Sequence, residues 1–161
     1  PETNVLSEGL VAIDEGYEAI MFVFNILEQE PGRTLIRRGM ENAVGLITRV
    51  PHASNVLTDR QEMNFGSRDH RSLRDRDWLV RAVEFTNTRV RPIAKSLGMD
   101  LETLAIKYVL TYPINTVMVT ATSIDELVKY VKAADGNYLN SDVIKTLEKL
   151  YAEFTEPIAV K

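Results

Sequence analysis

The sequence predicts an α/β fold in which three parallel strands alternate with helices. Three short runs of apolar, β-branched and aromatic residues are typical of buried strands, and they lie at Ala19–Phe24, Gly45–Val50 and Asn115–Val119. The stretches between them are longer and carry apolar residues at helical spacing. Parallel strands need crossovers of a dozen or more residues, so this alternation favours a parallel sheet covered by helices.

Composition restricts the class of protein. The chain has 161 residues, 45% of them hydrophobic and 26% charged, which fits a single globular domain over residues 1–161. A net charge of −4 gives no indication of a nucleic-acid partner or a membrane surface. No apolar run approaches the roughly 20 residues of a membrane span. The chain contains no cysteine, which excludes disulfides, thiolate catalysis and zinc–thiolate sites, and a cytoplasmic protein is the default expectation.

The first helix is predicted over Glu2–Glu15 and is expected to end at Gly16, because glycine tolerates the left-handed conformation of a helix C-terminus. After the first strand, a loop over Asn25–Arg33 leads to a second helix, with Thr34 as its predicted N-cap. The second strand is expected to end at Pro51, because proline has no backbone N–H to donate.

A long polar loop, Pro51–Asp75, separates the second strand from the next helix. That helix is predicted over Asp77–Leu97, with a kink or split at Pro92. Gly98 is expected to end it, and Asp100 is the predicted N-cap of the helix that follows. The aromatic residues on the apolar face of the first of these helices are predicted core residues, namely Trp78 and Phe85.

The segment Ser123-Ile124-Asp125-Glu126 has the pattern of a capping box, in which serine and glutamate satisfy N–H groups at a helix start. The helix is expected to end at Gly136, and Ser141 is the predicted N-cap of a last helix. A helix start also presents unsatisfied N–H groups and the positive end of the dipole, so Ser123 marks a potential anion site. Capping alone explains Ser123 and Glu126 equally well.

Several segments, in order along the chain, resemble one family. The segment Gly-Leu-Ile-Thr-Arg-Val-Pro-His-Ala-Ser-Asn-Val-Leu at residues 45–57 resembles the seventh strand and following loop of aldo-keto reductases. Phe24–Pro31 is similar to the end of the family's sixth strand, and Val117–Ser123 to its eighth strand and loop. Asp69-His70-Arg71 and Trp78-Leu79 resemble the long loop and helix of one subgroup.

The resemblance implies a partial TIM (β/α)8 barrel with three parallel strands and surrounding helices. A whole barrel of this type has roughly 250 residues, so the chain is expected to be its C-terminal portion, and a start at Pro1 within a helical pattern also favours a fragment. The resemblance further implies an oxidoreductase that reduces a small carbonyl substrate with NADP or NAD.

The family's catalytic tyrosine, lysine, aspartate and histidine come from earlier strands. No catalytic residue is therefore expected in this chain, which is predicted to be inactive alone. Three strands cannot close a barrel, so one face of the sheet is expected to be bare. An alternative is therefore a half-barrel that self-associates through this bare face.

Active sites of such barrels lie at the C-terminal ends of the strands. By position and resemblance, the candidates for cofactor binding are Arg49, Pro51, His52, Ser54, Thr120, Thr122, Ser123 and Glu126. Arg49 suits stacking on a flat ring, pairing with a phosphate, or an ion pair with a nearby carboxylate. His52 is either a hydrogen-bond donor to a ligand or a loop histidine without a special role, and with His70 it is too sparse for a metal site. The charged run Arg68–Asp77 suits either a lid or a solvated loop with local ion pairs.

Some positions depart from the family pattern. Met21 stands where a glutamine usually bonds the carboxamide, and Arg49 stands where many members place an aromatic ring. Lys129-Tyr130 replaces a glutamate–asparagine pair that usually contacts adenine. No lysine or arginine lies between Pro113 and Val128 to pair a 2′-phosphate, so a preference for NADP over NAD is not predicted. These departures keep open a non-catalytic regulatory or assembly module, and another phosphate-binding barrel enzyme.

Overall fold

The computed structural model describes residues 4–155, apart from the side chain of His70. Three strands, β1 at Ala19–Val23, β2 at Gly45–Arg49 and β3 at Thr116–Val117, form one sheet in the order β1-β2-β3. Both pairings are parallel. The predicted α/β fold with three parallel strands and surrounding helices is therefore confirmed.

Helices flank every strand in the described part of the chain. The α-helices are α1 Val5–Asp14, α2 Gly32–Glu41, α3 Arg76–Phe85, α4 Arg91–Ser96, α5 Leu101–Thr111, α6 Ile124–Ala133 and α7 Ser141–Thr155. A short 3-10 helix at His70–Leu73 lies in the long loop, and a π-helical turn at Thr86–Val90 joins α3 to α4. Within residues 4–155, no helix is both long and apolar enough to cross a membrane.

The third strand is shorter than the predicted Asn115–Val119. Asn115 donates its backbone N–H to the Leu46 carbonyl (3.0 Å), while its side-chain oxygen accepts the Leu46 N–H (2.7 Å). Because a side-chain acceptor replaces a backbone carbonyl, the regular ladder begins only at the next residue. The Met118 N–H donates to the Thr48 carbonyl (2.7 Å), which extends the pairing one residue beyond β3.

Several helix boundaries follow the sequence signals. Gly16 and Gly98 have φ angles of +79° and +67°, as expected for glycines that end helices. The Asp100 carboxylate accepts the Thr103 N–H (2.7 Å), so its N-cap role is confirmed. The predicted start of α1 at Glu2 lies outside the described residues.

Two predicted N-caps are wrong. Because α2 already begins at Gly32, Thr34 lies inside its first turn, where its hydroxyl donates to Glu30 (3.3 Å). Ser141 is the first residue of α7, and the cap is Asn140, whose side-chain oxygen accepts the N–H groups of the second and third helical residues (3.1 and 3.0 Å). Asparagine and serine are equally good caps, so adjacent candidates are not separated by residue type.

The helix predicted over Asp77–Leu97 is split, but the split begins before Pro92. The π-helical turn at Thr86–Val90 separates α3 from α4, and the proline lies within the first two residues of α4. Proline provides no N–H to bond the preceding turn, so a widened turn at this point is compatible with the missing donor.

The two faces of the sheet differ in burial. Phe22 and Leu46 face the helices and are buried at 2% and 1% exposure. On the opposite face, Met21 pairs in register with Ile47, and Met21 and Met118 are 55% and 51% exposed. The sheet of this chain therefore leaves one apolar face open, as expected for three strands that do not close a barrel.

Candidate functional site

An open cleft of about 1480 Å³ lies at the C-terminal ends of β1 and β2. One wall consists of strand ends and the loops that follow them, and includes Val23, Glu28, Arg49, Val50 and Ser54. The other wall comes from the long loop, α3 and α7, and includes Arg71, Arg74, Trp78, Arg81 and Tyr151. This is where an α/β barrel places its ligands.

Arg49, the last residue of β2, and Ser54, in the turn that follows, both line the cleft. Four residues of this turn have positive φ angles, namely Val50 (60°), Ala53 (47°), Ser54 (57°) and Asn55 (71°). A positive φ is costly for residues other than glycine, and most of all for β-branched ones. Contacts around the turn must therefore hold it in this conformation. Pro51, within the same turn, is buried.

His52 points away from the cleft and packs on α6. Its ring centre lies 4.9 Å from that of Tyr130, and it hydrogen-bonds the backbone of Glu102. Its Nε2 is buried without a hydrogen-bond partner. Burial lowers the pKa of His52 to about 4, so the ring is neutral near pH 7. In this position His52 joins the turn after β2 to α5 and α6.

Thr122, Ser123 and Glu126 come together at the start of α6. The Ser123 hydroxyl accepts the Glu126 N–H (3.2 Å), and the Glu126 carboxylate accepts the N–H and hydroxyl of Thr122 (2.7 and 2.9 Å). These hydrogen bonds hold the pKa of Glu126 below its usual value. The capping interpretation is therefore correct, while Thr120 is exposed just before this cluster. Ile124 and Asp125 follow the cap, and first-turn N–H groups of this kind are the donors an anion would use.

The sequence analysis missed a cation near this helix start. Arg60, in the loop after β2, lies with Nη1 4.0 Å from a Glu126 carboxylate oxygen, and its side chain is 85% exposed. The segment from Pro113 to Val128 itself contains no lysine or arginine. The chain brings Arg60 there from more than 60 residues away, and no local spacing could have indicated it.

The charged run Arg68–Asp77 forms both local and distant ion pairs. Arg71 pairs with Asp69 inside the loop (2.5 Å), which matches the prediction of local ion pairs. Arg74 instead pairs with Glu28, on the opposite wall of the cleft. Trp78 is only partly buried: its ring lies against Phe154 of the core (6.0 Å between centres, planes at 81°), and its side chain also lines the cleft.

Comparison with known protein families identifies the family of this chain. A model of the "Aldo/keto reductase family" matches residues 17–152. The chain belongs to the aldo/keto reductase family. No curated protein sequence is similar enough to count as a match.

Solved aldo/keto reductases share the fold of the chain. The aldo-keto reductase AKR11C1 from Bacillus halodurans in its apo form is 22% identical, with a TM-score of 0.65 over 91% of this chain and 47% of that one. The glycerol dehydrogenase AKR11B4 from Gluconobacter oxydans is 18% identical, with a TM-score of 0.71 over 89% of this chain and 45% of that one. The chain thus spans about half the length of these structures.

Two departures from the aldo/keto reductase pattern have clear structural roles here. Lys129 pairs with Asp100 (3.1 Å) and Glu102 (3.5 Å), and Tyr130 is buried against His52. Both side chains therefore tie α6 to its neighbours. Asp100 and Glu102 also lie close to a third carboxylate, Asp59, in a group that could hold a metal ion.

The acidic group is already neutralised by protein cations. Arg91 lies 2.6 Å from Asp59, and Lys129 pairs with the other two carboxylates. The Asp59 N–H also donates to Glu102 (3.2 Å). These contacts make the group an ion-pair cluster that links the long loop to α4, α5 and α6.

Ser123 caps α6, whereas Ser141 does not cap α7, so alanine substitution of each serine gives a matched test of the two caps. Ser123→Ala should lower the free energy of unfolding by about 1 kcal/mol, because it leaves the Glu126 N–H without its acceptor. Ser141→Ala should change it by less than about 0.5 kcal/mol, because Asn140 caps α7. Urea unfolding of both variants measures the difference, and equal losses would contradict the assigned caps.

Proposed function

We propose that this chain is the C-terminal, cofactor-binding part of an NAD(P)-dependent aldo-keto reductase that reduces a carbonyl compound. The observation that carries the proposal is the turn after β2. On one side it lines the cleft with Ser54, beside Arg49 at the end of β2, and on the other it contacts α6 through His52. A single turn thus connects the cleft to α6, which it contacts at Tyr130, while the other end of the same helix, at Ser123, offers N–H groups that suit a phosphate.

The residues present fit a dinucleotide. A cleft of about 1480 Å³ is larger than the roughly 300–1,000 Å³ typical of sites for small ligands. Arg49 offers a planar cation for a ring or a phosphate, and Ser54 offers a hydroxyl. The first turn of α6, after Ser123, offers N–H groups and the positive end of the helix dipole. Arg60, whose side chain is 85% exposed beside that turn, offers a positive charge that suits the extra phosphate of NADP.

The chemistry divides between the cofactor, this chain and the rest of the intact protein. When bound, the nicotinamide supplies the hydride that reduces the carbonyl. The residues of this chain bind and orient the nucleotide, and the Trp78 side of the cleft shields it from water. The general acid is expected outside this chain, so the chain alone should bind weakly and catalyse nothing.

Titration of the intact protein with NADPH and with NADH tests the proposal. Trp78 lines the cleft and is the sole tryptophan of this chain, so the tryptophan fluorescence should change in a saturable way, and Trp78→Phe should reduce that change. Arg49→Gln should raise the dissociation constant about tenfold, which corresponds to the loss of one charged contact. Arg37→Gln, on the exposed face of α2, serves as the matched control and should leave it unchanged. The proposal would be contradicted if the intact protein bound neither NADPH nor NADH.

The open face of the sheet favours one alternative, a half-barrel that self-associates. Met21 and Met118 on the sheet, and a stripe on α6, are exposed apolar surface. The stripe consists of Ile124, Leu127, Val128 and Val131. Sedimentation of the chain distinguishes the two functions, because a stable, well-folded monomer would exclude self-association. A non-catalytic module is distinguished by the intact sequence, in which the upstream tyrosine or lysine would be missing.

A further inference from the structure

The long loop after β2 is fastened to the opposite wall of the cleft by Arg74. The Arg74 guanidinium lies over the Trp78 ring, 3.8 Å from its centre, and forms an ion pair with Glu28. Both charged side chains are about three-quarters buried, with 28% and 23% exposure. A stacked and largely buried arginine is held more firmly than an exposed one. The contact therefore holds the loop in place across the cleft.

The ion pair continues into the sheet through Asn25. The side-chain amide of Asn25 donates one hydrogen bond to Glu28 (2.9 Å) and another to the carbonyl of Val50 (3.0 Å). Its oxygen accepts the Leu27 N–H (2.9 Å). Asn25 is fully buried, and both of its N–H groups are used, so the amide has one orientation. Arg74, Glu28, Asn25 and Val50 thus form one continuous chain of contacts.

This chain of contacts ends on the most strained residue of the turn. Val50 is β-branched and has a φ of +60°, a conformation it adopts only when its surroundings impose it. Arg49 precedes it, and Ser54 follows four residues later. The position of the Val50 carbonyl therefore determines where the side chains of Arg49 and Ser54 lie in the cleft.

We propose that Glu28 and Arg74 are positioning residues for the nucleotide site. They hold the loop over the cleft and, through Asn25, fix the turn at Val50. The effect on nucleotide binding rests on the proposed function, whereas the fastening of the loop does not.

The fastening is tested without any nucleotide, by trypsin digestion of this chain. Glu28→Gln removes the negative charge and keeps the shape, and leaves every tryptic site intact. Cleavage at Arg68 and Arg71 in the loop should be about fivefold faster, as expected when a contact of about 1 kcal/mol is lost. Glu153→Gln is the matched control, because Glu153 also forms a short ion pair, with Arg89 (2.6 Å), but does not line the cleft. Cleavage of Glu28→Gln at the control's rate would overturn the proposal.

Salt provides a second readout that a purely steric role would not move. Raising NaCl from about 0.05 to about 0.5 M should speed loop cleavage in the unmodified chain, because it screens the ion pair. Glu28→Gln should show no such dependence. Arg74→Gln should repeat the result and also shift the Trp78 emission, because it removes the stacked cation. An equal salt dependence in all three chains would overturn the proposal.

The positioning role is tested in the intact protein. Glu28→Gln should raise the dissociation constant for NADPH about fivefold, in line with the same loss of about 1 kcal/mol, and Glu153→Gln should leave it unchanged. If the loop is released but the dissociation constants are equal, positioning of the turn is overturned. If the unmodified intact protein binds no nucleotide, the proposed function fails, and the digestion still decides whether the loop is fastened.

Discussion

Replacement of Phe24 by alanine should lower the free energy of unfolding by about 3–5 kcal/mol. Phe24 follows β1 and has no exposed surface. Its ring stacks on Tyr108 (5.6 Å between centres) and meets Tyr112 edge-on (4.8 Å). A Cβ on Gly32 would lie 2.6 Å from a Phe24 ring carbon, so α2 packs directly on the ring. The substitution would leave a cavity where β1, α2 and α5 meet.

Phe65→Ala is the matched control for this prediction. Phe65 lies in the long loop, is partly buried, and is covered by the Arg71 guanidinium 4.6 Å from its ring centre. Its loss should cost about 1 kcal/mol or less, since exposed cation–π contacts and partly buried rings contribute little. Urea unfolding followed by circular dichroism measures both variants. A cost for Phe24→Ala no larger than that for Phe65→Ala would contradict the packing described here.

The stability of the chain should depend on pH through His52. Burial lowers the pKa of its imidazole from the ordinary 6.5 to about 4. Between these two pH values the unfolded chain binds the proton more readily than the folded chain, so stability should fall as the pH is lowered through this window. The expected loss attributable to His52 is about 3 kcal/mol. The charged groups that face the ring are Asp100, Glu126 and Lys129.

His52→Phe isolates this contribution. Phenylalanine keeps a ring against Tyr130 and cannot titrate, and it removes the buried Nε2 that has no partner. The difference in unfolding free energy between the two chains, measured from pH 7 down to about pH 4, cancels the acid response of the carboxylates. The variant should lose less stability over this range, by about 3 kcal/mol. Parallel pH profiles for the two chains would show that His52 does not titrate as described.

The parts of the fold that follow local rules were predictable from the sequence. The strands at Ala19–Val23 and Gly45–Arg49 are short runs rich in apolar and β-branched residues, and such runs are typical of strands in a parallel sheet. Asp100 and Ser123 cap helices because their side chains reach N–H groups only three residues away. The length of β3 was not predictable, because it depends on which atoms of Asn115 meet a strand 69 residues distant.

The sequence predicted that the candidate site residues follow the strand ends, but not which of them lie together. Arg49 and Ser54 do line a common cleft, but Thr122, Ser123 and Glu126 form a separate cluster at the start of α6. Burial of His52 follows from the packing of α6, and no feature of the loop sequence indicates it.

The contacts that cross the cleft were also beyond local reasoning. Arg74 meets Glu28 across 46 residues of sequence, and Arg60 approaches Glu126 across a longer separation. Each of these charges also had nearer partners of opposite sign in the sequence. Only the packing of the long loop decides which pair forms.

The proposed function requires one bound nucleotide to contact both the turn after β2, in the cleft, and the separate cluster at the start of α6. The most direct measurement is the change in backbone amide chemical shifts of the intact protein as NADPH is added. The largest changes should fall on Ser54 in the turn and on Thr122 and Ser123 at the helix start. Saturable binding with changes confined to the outer faces of α1 and α4, and none at these three amides, would contradict the claim.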